Sequence, residues 1–197
     1  HAAATSFFPA KPLGCYGDGG AILTNDDDLA EVLESIRMHG KGTTRYDNVR
    51  IGLNSRLDTI QAAILQVKLQ AFIDYELEQV NQIAKSYTDK LKDIVETPVI
   101  PEGYYSSWAQ YTIQLESQKQ RNNLQEELKK LGIPTMIYYP KPMHRQSAFT
   151  DRICSVGDLA VTEKICDRVL SLPMHPYLED NCIAAICEGL ELLCCAR

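Results

Sequence analysis

Ser6-Phe7-Phe8-Pro9-Ala10-Lys11-Pro12-Leu13-Gly14, followed at once by Gly17-Asp18-Gly19-Gly20-Ala21, sets one lysine between an apolar, strand-like run and a glycine-dense turn. Burial disfavours an ammonium ion and lowers its pKa, so a lysine desolvated in this setting becomes a nucleophile. A neutral amine can then form a Schiff base with an aldehyde cofactor. Taken alone, a lysine beside prolines and glycines is ordinarily a solvated loop residue, so its surroundings must decide. Gly17 to Gly20 do not make an anion cradle, because such a cradle opens into a helix N-terminus. Here they lead into Gly20-Ala21-Ile22-Leu23-Thr24, which reads as a short buried strand, and they permit a tight turn instead.

Working outward, strand and helix signals alternate, with no internal repeat and no low-complexity stretch, which predicts an α/β chain. Asn25-Asp26-Asp27-Asp28 offers capping oxygens and negative charge to a helix from about Leu29 to Met38. Residues 39–54 are polar, carry Gly40, Gly42 and Gly52, and form a loop too long to be a simple connector. From Arg56 to about Lys92, apolar residues such as Leu57, Ile60, Ile64, Val67, Val80, Ile83, Tyr87 and Leu91 recur at helical spacing. That spacing predicts one long amphipathic helix or two abutting ones, with a stripe from Leu57 to Ala71 that needs burial. Thr97-Pro98 and Pro101-Glu102-Gly103 break the pattern. Beyond them, Tyr111 to Leu115 and Pro134 to Tyr139 read as strands, and Arg121 to Leu131, Asp158 to Leu170 and Glu179 to Leu193 as helices. The second half is thus expected to be a small α/β domain.

The chain has 197 residues, 45% of them hydrophobic, and a net charge of −6. Its twenty basic residues are scattered, which argues against a nucleic-acid surface. No apolar run reaches the roughly 18–20 residues of a membrane span, and no signal-peptide pattern opens the chain. These features predict a cytoplasmic protein. Its seven cysteines contain no C-x-x-C pair and no histidine at ligand spacing, so no metal is expected. They read as reduced, mostly buried thiols packing as small hydrophobes.

The lysine segment resembles the cofactor-lysine segment of the DegT/DnrJ/EryC1/StrS family, sugar aminotransferases that use pyridoxal 5'-phosphate (PLP). Three further stretches, in order, carry the same resemblance. Gly52-Leu53-Asn54-Ser55-Arg56-Leu57-Asp58-Thr59-Ile60-Gln61-Ala62-Ala63 resembles the family's G-x-N-x-R-L-D-x-x-Q-A-A signature. Gly132-Ile133-Pro134 to Tyr139-Pro140 with Pro142-Met143-His144, and Leu170-Ser171-Leu172-Pro173-Met174-His175, are similar to its small-domain motifs. Ser107-Trp108-Ala109-Gln110-Tyr111 is closest to members that aminate UDP-linked 3-keto sugars or uronic acids.

The resemblance implies the C-terminal part of a fold-type I PLP-dependent transferase, beginning in the middle of that protein. Residues 1–56 would be a remnant of the PLP-binding large domain, 57–95 a connecting helix region, and 96–197 the small α/β domain. Lys11 would be the catalytic lysine, binding PLP and shuttling a proton. Asn54 would reach the cofactor phosphate of the neighbouring subunit, with Arg56 beside it, although a cap role for Asn54 on the long helix stands as an alternative. His39, Arg45 and Tyr46 are candidate substrate contacts on the long loop. Tyr138 and Tyr139 are candidates divided between core and site, because successive strand residues face opposite ways. His144 and His175 sit beside prolines in turns and suit a structural role equally well.

The implied activity is transfer of an amino group, with glutamate as the expected donor, to a nucleotide-linked keto sugar in polysaccharide or amino-sugar biosynthesis. The implied assembly is a homodimer with a shared site, without nucleic acid or membrane. The other cofactor elements lie in the family's N-terminal half, so the chain by itself is expected to be inactive. One alternative is a noncatalytic, self-associating α/β fragment. Another is a PLP-dependent sugar dehydratase, disfavoured because Lys11 stands where those relatives carry a histidine.

Overall fold

The computed structural model describes residues 1–149 and 157–195. They form two compact units, His1–Tyr75 and Glu76–Arg197, so the division falls within the long helical run.

In the first unit, strand β1 (Ala2–Ser6) pairs antiparallel with β2 (Gly20–Thr24), from Ala2 opposite Thr24 to Ser6 opposite Gly20. The lysine segment is therefore the connection of a β-ribbon. β2 forms as expected but is not buried, since Ile22 and Leu23 are both exposed. Helix α1 (Asp27–Arg37) starts two residues earlier than its spacing predicts, because the Asp26 side chain caps it by accepting from Leu29 N at 3.0 Å. Asp27 and Asp28 meet its positive end, and Arg37 in the last turn pairs with Glu34.

Helix α2 (Thr59–Ala71) runs into a π turn at Phe72–Glu76 and continues as α3 (Leu77–Leu91). Its predicted apolar stripe is largely uncovered. Leu65 is buried, but Ile60 is 75% and Val67 74% exposed. Periodicity identifies an apolar face without supplying what covers it.

The second unit carries the main core. α3 buries Val80, Ile83, Ala84, Tyr87 and Leu91, a helical stripe. Strand β3 (Tyr111–Gln114) alternates, with Tyr111 and Ile113 inward, and pairs antiparallel with β4 (Val169–Leu172). All four residues of β4 are buried. Helix α4 (Gln118–Lys130) is capped by Ser117, which accepts from Gln120 N at 3.2 Å. Helices α5 (Ala160–Arg168) and α6 (Asp180–Cys195) complete the unit, and α6 packs on α3 and α4. Leu124, Leu128, Leu170, Ile183, Ile186 and Leu190 join Tyr111 and Ile113 of β3 and Ile83, Ala84, Tyr87 and Leu91 of α3 in one cluster. Each fully buried aliphatic side chain stabilises the fold by about 1.5–3 kcal/mol before the entropy of ordering it is subtracted.

Two expectations need correction here. Val169 and Leu170 belong to β4 and not to the preceding helix, which ends at Arg168. Pro134 to Tyr139 is not a regular strand, because only Met136 bridges to the sheet, exchanging backbone hydrogen bonds with Ser171 at 3.1 and 2.7 Å. The thiols are also less uniformly buried than expected. Cys15 and Cys187 are buried, Cys166 and Cys194 half-buried, and Cys182 and Cys195 exposed. Cys154 lies outside the described residues. Among the described residues, no helix is long and apolar enough to cross a membrane.

Candidate active-site elements

Lys11 sits on the excursion that leaves β1 and returns to β2. Phe7 N donates to Gly19 O at 2.8 Å, adding one bond beyond the last ladder pair. Cys15 N donates to Phe7 O at 2.8 Å, and Lys11 N to Phe8 O at 2.8 Å, which folds the tip back on itself. The Cys15 thiol, fully buried, lies 3.0 Å from Phe7 O and 3.1 Å from Gly17 O and can donate to either. At Gly14 a Cβ would stand 2.7 Å from Phe8 O and 2.8 Å from Pro9 O, so the turn closes only around a glycine. Lys11 itself is exposed. The desolvation expected of it is not provided by the residues packed around it in this unit.

The loop at residues 39–54 is ordered by its own backbone. Gly40 N donates to Ser35 O, and Val49 N to Gly40 O, at 2.7 and 2.9 Å. Asn48 Nδ2 donates to His39 O at 2.7 Å, and Ser35 Oγ to Lys41 O at 2.6 Å. Gly40 has φ +76°, and a Cβ there would fall 1.7 Å from Arg50 O. His39 and Tyr46 also have positive φ, 66° and 68°. Tyr46 is 85% exposed, with the Arg45 guanidinium 4.9 Å from its ring centre.

Asn54 bridges to Met38 through its backbone, and both Asn54 and Arg56 are exposed. Asn54 does not cap the long helix, since the N-cap position of α2 is Asp58. Among the described residues, no hydrogen bond or ion pair joins Lys11 to His39, Arg45, Tyr46, Asn54 or Arg56.

In the second unit, Tyr138 is half-buried and Tyr139 exposed, their rings 5.4 Å apart and edge-on. The alternation argument does not apply to them, because they lie outside any strand. His144 Nε2 is 2.9 Å from Glu163 Oε1, which Arg145 also reaches at 2.8 Å. His175 Nδ1 accepts from Tyr177 N at 3.2 Å. Both histidines thus have structural partners.

Sequence reasoning passed over Gln61. Its Oε1 accepts from Tyr16 N at 2.8 Å, five residues after the lysine. The signal was present, because Gln61 is the glutamine of the Gly52 to Ala63 motif, but its partner is 45 residues away in sequence.

The lysine turn, the glycine-ordered loop and the motif from Gly52 to Ala63 follow one another along the chain in the order of an aminotransferase family. Residues 1–191 match the DegT/DnrJ/EryC1/StrS aminotransferase family, and the chain belongs to it. It is 46% identical, over 189 residues, to the UDP-2-acetamido-2-deoxy-3-oxo-D-glucuronate aminotransferase of Pseudomonas aeruginosa, covering 95% of this chain and 50% of that protein. The fold matches a DegT/DnrJ/EryC1/StrS aminotransferase from Brucella abortus with a TM-score of 0.93 and 51% identity, covering 98% of this chain and 51% of that one. It also matches NtdA from Bacillus subtilis, solved with bound cofactor PMP, with a TM-score of 0.86 and 26% identity over 98% of this chain and 45% of that one. The chain spans about half the length of the curated relatives it matches.

Proposed function

We propose that this chain is the lysine-bearing part of a PLP-dependent aminotransferase acting on a nucleotide-linked keto sugar. The observation that carries the reading is Lys11, its amine exposed at a turn whose backbone is closed from both sides. The residues fit the cofactor at its covalent end, since a primary amine on a fixed turn is open to a carbonyl group, and the desolvation that makes it nucleophilic would come from the bound cofactor and the rest of the intact enzyme. Asn54, exposed just before α2, would hold the phosphate of the neighbouring subunit's cofactor, with Arg56 beside it. Bound there, PLP supplies the electron sink for moving an amino group between donor and acceptor. Lys11 Nζ would hold the cofactor and would take up and return the proton of the reacting carbon.

The name of the Pseudomonas aeruginosa relative supports a UDP-linked 3-keto sugar or uronate as acceptor. Glutamate is the proposed donor. His39, Arg45 and Tyr46, on the ordered loop, are proposed substrate contacts, and so is Tyr138 or Tyr139. On this reading residues 1–56 close the large domain, 57–95 connect, and 96–197 form the small domain of a cytoplasmic homodimer. The intact enzyme would be about twice this length, and the chain alone would not turn over.

Borohydride reduction of the PLP-loaded enzyme, followed by peptide mass spectrometry, tests the assignment. PLP should be recovered on Lys11. Recovery on Lys41 or Lys68 would overturn it.

A further inference from the structure

We propose that Gln61 is a positioning residue for Lys11, a role that rests on the cofactor reading above. Lys11 is carried by a turn with two limbs. The limb before it is held within the ribbon, through Phe7 N to Gly19 O and Lys11 N to Phe8 O. In the limb after it, Cys15 N returns to Phe7 O, but the next amide, Tyr16 N, finds its acceptor outside the ribbon, at Gln61 Oε1 on α2.

The same helix face holds Tyr16 a second time. Residues seven apart lie on one side of an α-helix, and Lys68 places its Nζ 5.8 Å from the centre of the Tyr16 ring. Leu57, just before α2, closes over the turn from the same segment, leaving only 3.0 Å between its Cδ1 and a Cβ built at Gly19. α2 therefore holds the Tyr16 amide through Gln61 and flanks its exposed ring with Lys68, and Leu57 lies against Gly19 on the return to β2. With Gln61 removed, the Tyr16 amide has only water as acceptor, and residues 16–18 lose their tie to a rigid element. The lysine five positions earlier then samples many orientations where one is wanted. Gln61 touches neither cofactor nor substrate and acts through the turn.

The test compares Gln61→Leu, which removes the acceptor, with Gln61→Glu, which keeps an acceptor oxygen at the same reach. In the intact, PLP-free protein, amide exchange at Tyr16 should rise about tenfold or more in Gln61→Leu and stay near the native rate in Gln61→Glu. With PLP added, Gln61→Leu should slow the appearance of borohydride-trapped PLP on Lys11 by about tenfold, while Gln61→Glu recovers most of the native rate. Equal thermal midpoints for both variants would separate this from general loss of fold. An unchanged Tyr16 exchange rate, or faster exchange with an unchanged trapping rate, overturns the proposal. If the unsubstituted protein never carries PLP on Lys11 while the exchange difference persists, the cofactor reading falls. Gln61 is then a structural tie without a role toward the lysine.

Discussion

Trp108 Nε1 donates a hydrogen bond to Asn81 Oδ1 at 2.9 Å, joining the loop before β3 to the second turn of α3. The same Asn81 returns its Nδ2 to Leu77 O at 2.7 Å and Ser106 O at 3.2 Å. Trp108 stacks 5.5 Å from Tyr111, whose ring lies 5.0 Å from that of Tyr87. One amide side chain thus fixes the loop and the first ring of an aromatic row reaching into the core.

Asn81→Leu should therefore destabilise the chain by about 1–3 kcal/mol, the cost of leaving a half-buried indole N–H and a carbonyl unpaired. Trp108 is the only tryptophan, so its emission reports the site directly. Urea unfolding should shift to a lower midpoint, and native-state emission should move to longer wavelength. An unchanged emission maximum would mean the indole is held by packing alone.

Arg121 is 2% exposed, and its Nη1 donates to Cys166 O and Val169 O at 3.3 and 3.2 Å. It ties α4 to the point where α5 becomes β4. Arg121→Met keeps much of the volume but strips both carbonyls of a donor, at about 1–3 kcal/mol for each buried group left unpaired. Chemical denaturation should show the loss. Amide exchange should quicken first in β4.

Glu163 accepts from His144 and Arg145, and those two contacts, His144 first, hold its carboxyl below the ordinary carboxylate range. A depressed folded pKa means the contribution is complete above about pH 4.3, the unfolded value, and is lost as pH falls through the folded one. Melting temperatures followed from pH 6 to about pH 3 should fall less steeply for Glu163→Gln than for the native protein. Coincident curves would show that the cluster adds nothing at acid pH.

The proposed sharing of Asn54 between subunits has a direct assay. An isologous dimer repeats each contact, so a loop that crosses one way also crosses the other. In the intact enzyme, mixing Lys11→Ala subunits with Asn54→Ala subunits should restore activity at one hybrid site per dimer, because that site holds both native residues. Asn54 contributes to Met38 through its backbone, so truncating its side chain leaves that bridge in place. Mixed dimers as inactive as either parent would mean Asn54 serves its own subunit.

Local signals in the sequence are legible where the cause is local. Asp26 caps α1 because its side chain reaches an amide three residues on, and it lies in the acidic cluster read as capping. The same relation at Ser117 was passed over, and α4 begins at Gln118, three residues before the expected Arg121. The motifs on which the proposed roles of Lys11 and Asn54 rest are short ordered strings of the same local kind. What could not be read depends on distance. Val169-Leu170-Ser171-Leu172 is a buried run too short for periodicity to separate strand from helix end, and its identity comes from pairing with β3. The β-rich composition around Met136 suggested a strand, yet only one bridge forms there. The π turn at Phe72–Glu76 had no residue signature at all. Gln61 escaped notice because its meaning lies in Tyr16.

The ladder that closes at Ser6 and Gly20 makes everything between them a cassette. Most of its bonds are internal, so the segment could be exchanged as one piece between members of the family without disturbing the strands that flank it. Beyond the ladder, Gln61 accepts a hydrogen bond from it, and Lys68 and Leu57 lie against it. A transplanted lysine turn would find the Gln61 acceptor for its Tyr16 amide only in a host whose α2 presents that side chain, so the two stretches would have to be moved together although 45 residues separate their contact.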